Sequence, residues 1–258
     1  MIDYLKADEN YIKSHLDTQF MGKPLYIFDT VSSTFDKIAE FPRAEGLTVI
    51  ARRQTNGRGR LGRNWASDDG GIYMSFNLTP SLSPKDASEL TIPCALGVAK
   101  ALESYGNCKI KWPNDIVLNG KKICGILSTM GITDGKTDYV CVGIGINTNQ
   151  TEFIDLPNAS SIRILTGNKC DENHIICKIL ENIEKEYTSD KKVILEQYKK
   201  HCLTLGSVVT VHYCDGREDF SGECIDITDS GLLVVKSGDN TVYVSSGEVS
   251  VRGLYGYI

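Results

Sequence analysis

The chain has 258 residues, of which 41% are hydrophobic and 24% charged, and its formal net charge at pH 7 is −5. This length can bury a core and favours one or two domains, whereas the acidic balance argues against a general nucleic-acid binder. No apolar run approaches the ~20 residues of a membrane span, and the acidic N-terminus differs from a signal peptide. Nine cysteines without a Cys-x-x-Cys pair favour reduced thiols and a cytoplasmic protein.

The N-terminal part predicts a helix, a strand and a second helix. An amphipathic helical start is indicated by spaced apolar residues, namely Ile2, Leu5, Ile12, Leu16 and Phe20. About 24 residues precede the strand predicted at 25–28, too few for a complete helix-turn-helix module. Ser33 followed by Asp36 then resembles a capping box. Ser33 is therefore either a plain N-cap or, because helix starts suit polar ligands, a binding residue.

A segment rich in glycine and arginine, residues 54–65, follows the strand predicted at 47–51. Three glycines and three arginines fall within residues 57–63. Glycine lets the backbone approach a ligand closely, and arginine presents fixed donors that match phosphate and carboxylate. The Gly-x-Gly-x-x-Gly spacing does not predict a dinucleotide fold, because loop residues rather than a helix follow it. The segment is an anion-binding loop, a solvated linker or an RNA-contacting segment.

A helix and a β-hairpin are predicted in the middle of the chain. Residues 71–78 and 109–112 predict strands on either side of a helix that begins at Ser83-Pro84 and kinks at Pro93. Asn119-Gly120 then predicts a two-residue hairpin turn that leads into a return strand at 121–127.

This hairpin places a lysine beside apolar residues. With a two-residue turn, Val117 faces Lys122 and Asp115 faces Cys124, so these four side chains share one face. Lys122 either snorkels to solvent at the hairpin end or is held toward a ligand. Gly125, inside the return strand, predicts the close approach of another group to the backbone.

The C-terminal half predicts one more strand, two helices and a small β-unit. Residues 139–147 form an apolar strand interrupted by Gly143 and Gly145, a pattern that marks a bulge or a contacted surface. Asp171 is expected to cap an amphipathic helix, and a second helix follows to about residue 203. From Gly206 onward, five short β-rich runs predict a small barrel that leans on the main domain.

Four blocks of this sequence resemble, in order and spacing, those of the biotin protein ligases (biotin–[acetyl-CoA-carboxylase] ligases). They are Val-Ser-Ser-Thr at 31–34, the segment 54–65, Lys-Trp-Pro-Asn-Asp at 111–115 with 122–127, and Gly-Ile-Gly-Ile-Asn at 143–147. The resemblance corresponds to the short form that lacks an N-terminal DNA-binding domain. It implies an α+β fold, with a mixed-sheet catalytic domain related to class II aminoacyl-tRNA synthetases at 1–204 and an SH3-like β-barrel at 205–258.

The resemblance implies a two-step, ATP-dependent reaction. The carboxylate of biotin attacks the α-phosphate of ATP to give biotinyl-5′-AMP and pyrophosphate. A lysine of a biotin carboxyl carrier protein then attacks the mixed anhydride. Biotin and ATP are thus the implied substrates, Mg²⁺ is an expected ion, and neither nucleic acid nor membrane is an expected partner. The family also makes a homodimer plausible.

The resemblance assigns site residues block by block. For biotin and phosphate it implies Ser33, Thr34, Phe35, Gln54, Arg58, Gly59, Arg60, Lys122 and Gly125. For ATP or the adenylate it implies Arg58, Arg60, Trp65, Lys122 and Asn147. Lys122 and Arg58 are the expected catalytic cations, because two anionic reactants must be brought together. Phe35 stands where the family usually has asparagine, so a contact made by that side chain must be lost or replaced.

Three other functions were compared with this one. A lipoate–protein ligase shares the fold but fits the Gly-Arg-Gly-Arg block less well. A biotin-responsive repressor is disfavoured because the chain lacks the expected N-terminal module and is acidic. An inactive ligand-binding relative is disfavoured by the presence of Lys122 and both loop arginines, Arg58 and Arg60.

Overall fold

The computed structural model describes residues 6–246 and 249–253, which form a mixed seven-stranded sheet and a separate five-stranded antiparallel sheet. This confirms the α+β class and the small C-terminal β-unit predicted from the sequence. Ile2 and Leu5, assigned to the predicted first helix, lie outside the described residues. Within the described ranges, no helix combines the length and the apolar character needed to cross a membrane.

The seven-stranded sheet has the order β1-β2-β3-β7-β6-β5-β4. Its strands are β1 (Leu25–Val31), β2 (Thr48–Gln54), β3 (Gly71–Leu78), β4 (Lys109–Lys111), β5 (Asp115–Leu118), β6 (Lys121–Thr133) and β7 (Lys136–Asn147). β1 and β2 are parallel, and the other neighbouring strands are antiparallel. β1 and β2 extend three residues beyond the predicted ends, because Thr30 pairs with Arg53 and Val31 with Gln54. This extension brings the loop after β1 beside Gln54.

Helices cover one face of this sheet. The helices are α1 (Glu9–His15), α2 (Thr34–Ile38), α3 (Pro84–Ala87), α4 (Thr91–Ala101), α5 (Ile162–Thr166), α6 (Glu172–Tyr187) and α7 (Lys191–His201). α4 packs on β4, β5 and β6, and α6 and α7 pack on α4. Asp171 caps α6 as predicted, accepting hydrogen bonds from the backbone N–H groups of Asn173 (3.0 Å) and His174 (3.3 Å).

The opposite face of the sheet is partly open. Because side chains alternate along a strand, the core residues Met74 and Phe76 face the helices, and Ser75 faces the other way. Ser75 pairs with Gly143, and Gly145 pairs with Gly125. α2 packs on β2, β3 and β7 and covers one end of this face. Beside α2, this face therefore presents strand backbone that is almost free of side chains.

The helix predicted from Ser83 to about residue 105 is divided into pieces. α3 ends at Ala87, a single 3₁₀ turn occupies Ser88–Leu90, and α4 begins at Thr91. The expected kink at Pro93 is therefore displaced to the preceding turn. A proline ring clashes with the carbonyl four residues earlier, so the irregular geometry falls on the N-terminal side of the proline.

The C-terminal sheet contains five strands in the order β11-β10-β9-β8-β12. They are β8 (Val208–Tyr213), β9 (Phe220–Ile227), β10 (Leu233–Ser237), β11 (Asn240–Val244) and β12 (Val249–Gly253). The sheet is joined to the rest of the molecule by the six residues between α7 and β8 and by polar contacts. Trp112 Nε1 donates to the carbonyl of Gly231 (3.1 Å), and Lys199 pairs with Asp226 (2.7 Å).

Candidate active site

A cavity of about 530 Å³ lies over the open face of the large sheet. This volume is typical of sites for small molecules. Nine of the eleven site residues expected from the sequence line it, namely Thr34, Phe35, Gln54, Arg58, Gly59, Arg60, Trp65, Lys122 and Gly125. Ser33 and Asn147 do not line it. The sheet, the arginine-rich loop and the β5–β6 hairpin thus contribute to a single site.

The loop over this cavity is an ordered hairpin, which we call the flap (residues 57–65). Gly59 N–H donates to the Arg63 carbonyl (2.7 Å), and Trp65 N–H donates to the Gly57 carbonyl (2.9 Å). At the tip, Leu61 has a φ of +56° and its side chain is exposed. The last of the three glycines ends a three-residue turn, Arg60–Gly62, and the residues from 63 to the start of β3 form no helix, which agrees with the prediction that this is not a dinucleotide fold.

Lys122 projects from β6 into the cavity beside Asp115. Its Nζ lies 2.6 Å from Asp115 Oδ1 and 5.3 Å from the ring centroid of Trp65. The backbone of Lys122 is also fixed, because its N–H donates to the Asn158 carbonyl (2.8 Å) and its carbonyl accepts from Ser160 (3.0 Å). Lys122 is therefore held within the site and does not snorkel.

The predicted pairing of Asp115 with Cys124 is wrong. Asp115 pairs with Gly125, and Ile116 pairs with Cys124, because the register shifts between Ile116 and Val117. Ile123 is the extra residue of this bulge. Cys124 is fully buried in the main core, where burial raises the pKa of its thiol. The bulge thus places Gly125, instead of Cys124, in the site beside Lys122 and Asp115.

The floor of the cavity is backbone covered by two aromatic rings. A Cβ atom at Gly143 would lie 2.3 Å from Phe35 Cε2, and one at Gly145 would lie 2.4 Å from Trp65 Nε1. A Cβ atom at Gly125 would likewise lie 2.8 Å from Trp65 Cζ3. Contacts this close exclude any side chain at these positions. Phe35 and Trp65 thus explain the glycines at positions 125, 143 and 145.

Polar side chains occupy the end of the cavity nearest α2. Gln54 Oε1 accepts from the backbone N–H of Thr34 (2.8 Å) and from its hydroxyl (3.2 Å). Ser75 Oγ donates to Thr34 Oγ1 (2.7 Å), and Gln54 Nε2 donates to Ser67 Oγ (2.8 Å). Ser33 is buried behind this group, where its Oγ caps α2 by accepting from Phe35 N–H (3.2 Å). Ser33 is thus an N-cap, and Thr34 and Gln54 reach the cavity.

The two flap arginines have different partners. Arg58 forms an ion pair with Asp36 of α2, and both side chains are partly exposed. Arg60 turns the other way, where Nη1 donates to Asn114 Oδ1 (3.0 Å) and Nη2 to the carbonyls of Ser246 and Val249 (3.2 Å for the latter). Burial of the Arg60 guanidinium lowers its pKa. Arg58 therefore remains more accessible than Arg60.

Asn147 lies at the end of β7, away from the cavity. Its side chain is buried, and its Nδ2 donates to the carbonyl of Ser160 (3.1 Å). Since Ser160 also pairs with Lys122, Asn147 supports the segment that holds this lysine. A role of Asn147 at the adenylate remains a prediction.

Several cavity residues were not assigned to the site from the sequence. They include Lys111, Asn114, Asp115, Leu127, Val249 and Val251. The first three belong to the Lys-Trp-Pro-Asn-Asp block, so the block itself was a usable signal. The two valines come from β12, and the sequence indicated that the small β-unit leans on the main domain but not which of its residues reach the cavity.

Comparisons with known proteins agree with this geometry. The sequence model of the "Biotin/lipoate A/B protein ligase family" matches residues 27–147, and that of the "Biotin protein ligase C terminal domain" matches residues 204–252. The "Bifunctional ligase/repressor BirA" of Bacillus subtilis is 33% identical over 261 residues, which cover 95% of this chain and 79% of that protein. The chain belongs to the biotin protein ligase family.

Two further relatives lie within the same family. The "Biotin--[acetyl-CoA-carboxylase] ligase" of Mycobacterium tuberculosis is 32% identical over 216 residues, covering 80% of this chain and 79% of that protein. The biotin protein ligase of Aquifex aeolicus, solved in complex with biotin and ATP, superposes with a TM-score of 0.76 at 30% identity. That comparison covers 90% of this chain and 99% of the Aquifex chain.

The acidic residues of this family member do not build a metal cage. Within residues 6–246 and 249–253, no group of three or more His, Cys, Asp or Glu side chains could hold a metal ion. Asp115 is the carboxylate that lines the cavity. A single carboxylate fits Mg²⁺, which commonly binds through one or two carboxylates, water and substrate phosphates.

Proposed function

We propose that this protein activates biotin with ATP to form biotinyl-5′-AMP and transfers the biotinyl group to a lysine of a biotin carboxyl carrier protein. The observation that carries this proposal is the single cavity in which Lys122, Arg58 and the Thr34–Gln54 pair lie together. Membership of the biotin protein ligase family and the likeness to a ligase that binds biotin and ATP support it.

Charge is the main problem that this site must solve in the first step. A carboxylate oxygen of biotin forms a bond to the α-phosphorus of ATP, and the bond from that phosphorus to pyrophosphate breaks. Both reactants are anions, so Lys122 and Arg58 offset their repulsion and the charge of the transition state. Asp115 and Asp36 now hold these cations in place. We propose that ligand oxygens take over part of these contacts.

The remaining cavity residues suit recognition of the two substrates. Thr34 and Gln54 offer hydroxyl and amide groups to the polar ring of biotin, and the backbone at Gly125 and Gly59 permits close approach. Phe35 gives an apolar wall in place of the family asparagine. Trp65 has a buried Nε1 without a hydrogen-bond partner among the described residues, and its ring is a surface on which an adenine could stack.

Magnesium enters this proposal together with ATP. When bound, the ion would neutralise phosphate charge and help pyrophosphate to leave. Asp115 is the cavity carboxylate that could hold it, directly or through water.

The second step needs no nucleophile from this chain. The amino group of the carrier lysine attacks the acyl carbon of the adenylate, the amide bond forms, the bond to AMP breaks, and the amine loses a proton. Because the acyl group is already activated, orientation and exclusion of water are the main tasks of the protein. The flap lies over the cavity and is placed to perform both.

The deciding experiment is mass spectrometry after incubation with ATP, Mg²⁺ and either biotin or lipoate. Biotinyl-5′-AMP is expected from biotin, and little lipoyl-5′-AMP from lipoate. The lipoate arm is needed because one matching family model covers both kinds of ligase. Formation of lipoyl-5′-AMP alone would reverse the assignment, and formation of neither adenylate would exclude ligase activity.

Three further features are part of the proposal. We place the catalytic domain at residues 1–204 and the SH3-like domain at 205–258, on either side of the change from helices to short strands. The protein is expected in the cytoplasm, where its nine unpaired thiols stay reduced. A homodimer through a sheet edge is proposed from the family, and sedimentation with and without biotin and ATP would test it.

A further inference from the structure

Arg60 connects the flap to the C-terminal sheet. Its Nη2 donates to the carbonyls of Ser246 and of Val249, the first residue of β12. Its Nη1 donates to Asn114 Oδ1 (3.0 Å), so one guanidinium joins the flap, the β4–β5 turn and the small β-unit. The contacts join residues that are up to 189 positions apart in the chain.

The hydrogen-bond partners of Arg60 are uncharged. A buried guanidinium is unfavourable unless its donors are satisfied, and burial is the main reason that the pKa of Arg60 is lowered. Two backbone carbonyls and one amide oxygen are its hydrogen-bond acceptors, and the nearby carboxylate of Asp115 acts against this lowering of the pKa. Arg58 differs, because it is more exposed and pairs with the carboxylate of Asp36. The hydrogen bonds of Arg60 are therefore those of a clamp between the flap and β12.

The C-terminal sheet also forms part of the cavity wall. Val249 and Val251 of β12 are buried and line the cavity. A second hydrogen bond holds the C-terminal sheet against residues 111–115 of the main domain, because Trp112 Nε1 donates to the Gly231 carbonyl (3.1 Å). The position of the flap over the cavity is thus defined relative to two domains.

We propose that Arg60 is a positioning residue that fastens the flap to the start of β12, so that the C-terminal domain sets the closed position of the flap. This inference deepens the ligase function proposed above and rests on it for its consequence in catalysis. It replaces the expectation that Arg60 binds phosphate. In this arrangement Arg58 and Lys122 hold the anions. Arg60 holds the flap over the adenylate, so that water is excluded.

The fastening itself can be measured without any substrate. Hydrogen exchange of the full chain would be compared between wild type, Arg60→Ala and Arg63→Ala, where Arg63 is an exposed arginine on the same flap. Loss of the clamp should speed exchange about tenfold or more at the Gly59 and Trp65 amides and in β12, because hydrogen bonds from a charged group are removed. Arg63→Ala should leave both regions unchanged. Equal exchange in wild type and Arg60→Ala would overturn the proposal.

The catalytic consequence has a separate readout. Release of biotinyl-5′-AMP should be faster in Arg60→Ala than in wild type, and the ratio of the two release rates should change little between about 0.05 M and about 0.5 M NaCl, since the hydrogen-bond acceptors of Arg60 are neutral. Arg58→Ala is the comparison, and the part of retention that it removes should be salt-sensitive. A release rate of Arg60→Ala equal to that of wild type would contradict the proposal. Absence of any adenylate in wild type would instead refute the ligase function and leave the exchange result valid.

Discussion

Lys122 is the residue on which the chemistry depends most directly. We expect Lys122→Ala to slow adenylate formation by about 100-fold to 1,000-fold with the fold intact, because it removes one charge that stabilises the transition state. The measurement is single-turnover formation of biotinyl-5′-AMP. Lys121→Ala is the matched control, since Lys121 Nζ donates to the Pro157 carbonyl (2.6 Å) outside the cavity. Near-normal adenylation by Lys122→Ala would remove this residue from the mechanism.

Gly143 and Phe35 form a pair that can be tested by stability. Gly143→Ala should lower the free energy of unfolding by about 1–3 kcal/mol, because the new Cβ would meet the Phe35 ring at 2.3 Å. In the background of Phe35→Ala the same change should cost much less. Urea denaturation of the two single variants and the double variant gives the coupling free energy. Additive effects would show that the ring and the glycine do not share this space.

Single residues show where prediction from sequence ends. The cap at Ser33 follows from local spacing and could be foreseen, as could the contacted backbone at Gly125. The identity of the group on Gly143 could not, because Phe35 is 108 positions away in the chain. The same holds for Arg60, whose partners lie in a different domain. Residue type indicates which chemistry a side chain can perform, but its partners are set by tertiary packing.

At the level of elements, the β5–β6 hairpin has the turn that the sequence predicts but not the strand register. Asn119-Gly120 forms the predicted turn, with both residues at positive φ. The bulge at Ile123 nevertheless reverses the faces beyond it. Ile123 and Cys124 are both fully buried, and a strict alternation would have turned one of them toward the site. Burial of two consecutive apolar residues outweighs regular pairing here, and no local signal announces it.

Helix α6 holds the chain between α1 and β1 mainly through the carboxylate of Glu184. Glu184 accepts from the N–H groups of Gln19 (2.6 Å), Phe20 (2.9 Å) and Met21 (2.8 Å). Burial alone would raise the pKa of Glu184, but these hydrogen bonds outweigh it and the pKa is lowered. Because the pKa of Glu184 is lower in the folded state, its charge stabilises the protein at pH values above the unfolded-state pKa of about 4.3. This stabilisation is lost as the pH falls through the folded-state pKa.

We therefore expect Glu184→Gln to lower the free energy of unfolding by about 1–2 kcal/mol at pH 7, since a partly exposed charged acceptor becomes neutral. The deficit should shrink as the pH falls below about 4, where wild type loses the same charge. Chemical denaturation at several pH values measures this difference. Glu181→Gln on the same helix is the control, because Glu181 pairs with Lys178 and accepts one long hydrogen bond from this segment, from Asp17 N–H (3.4 Å), where Glu184 accepts three. A deficit independent of pH would contradict the explanation.

For the whole molecule, the nine thiols report on packing. Eight of the nine cysteines are buried and Cys214 is exposed. Burial raises the pKa of several thiols, that of Cys94 to about 12 and that of Cys108 to about 12. At pH 8 the native protein should therefore show one fast-reacting thiol with Ellman's reagent, and all nine after unfolding. Cys214→Ser should abolish the fast reaction, and more than one fast thiol in wild type would indicate looser packing.

The architecture as a whole was largely predictable, and its assembly was not. Periodicity and turn residues indicated the strands of both sheets and the helices α6 and α7, because these signals are local. The placement of β12 against the cavity depends on contacts such as Trp112 with Gly231 and Arg60 with Val249. Such contacts join segments more than a hundred residues apart, and a single sequence carries no periodic signal for them.

The chain contains two tryptophans, Trp65 and Trp112, and both line the same cavity. Trp65 packs on the backbone of Gly125 and Gly145, and Trp112 donates a hydrogen bond to Gly231 of the C-terminal domain. The tryptophan fluorescence of the protein, excited selectively over that of its twelve tyrosines, therefore originates wholly at this site, and a change in its emission spectrum or quenching reports occupancy of the site without a label. The variants Trp65→Phe and Trp112→Phe would separate the emission of the two tryptophans.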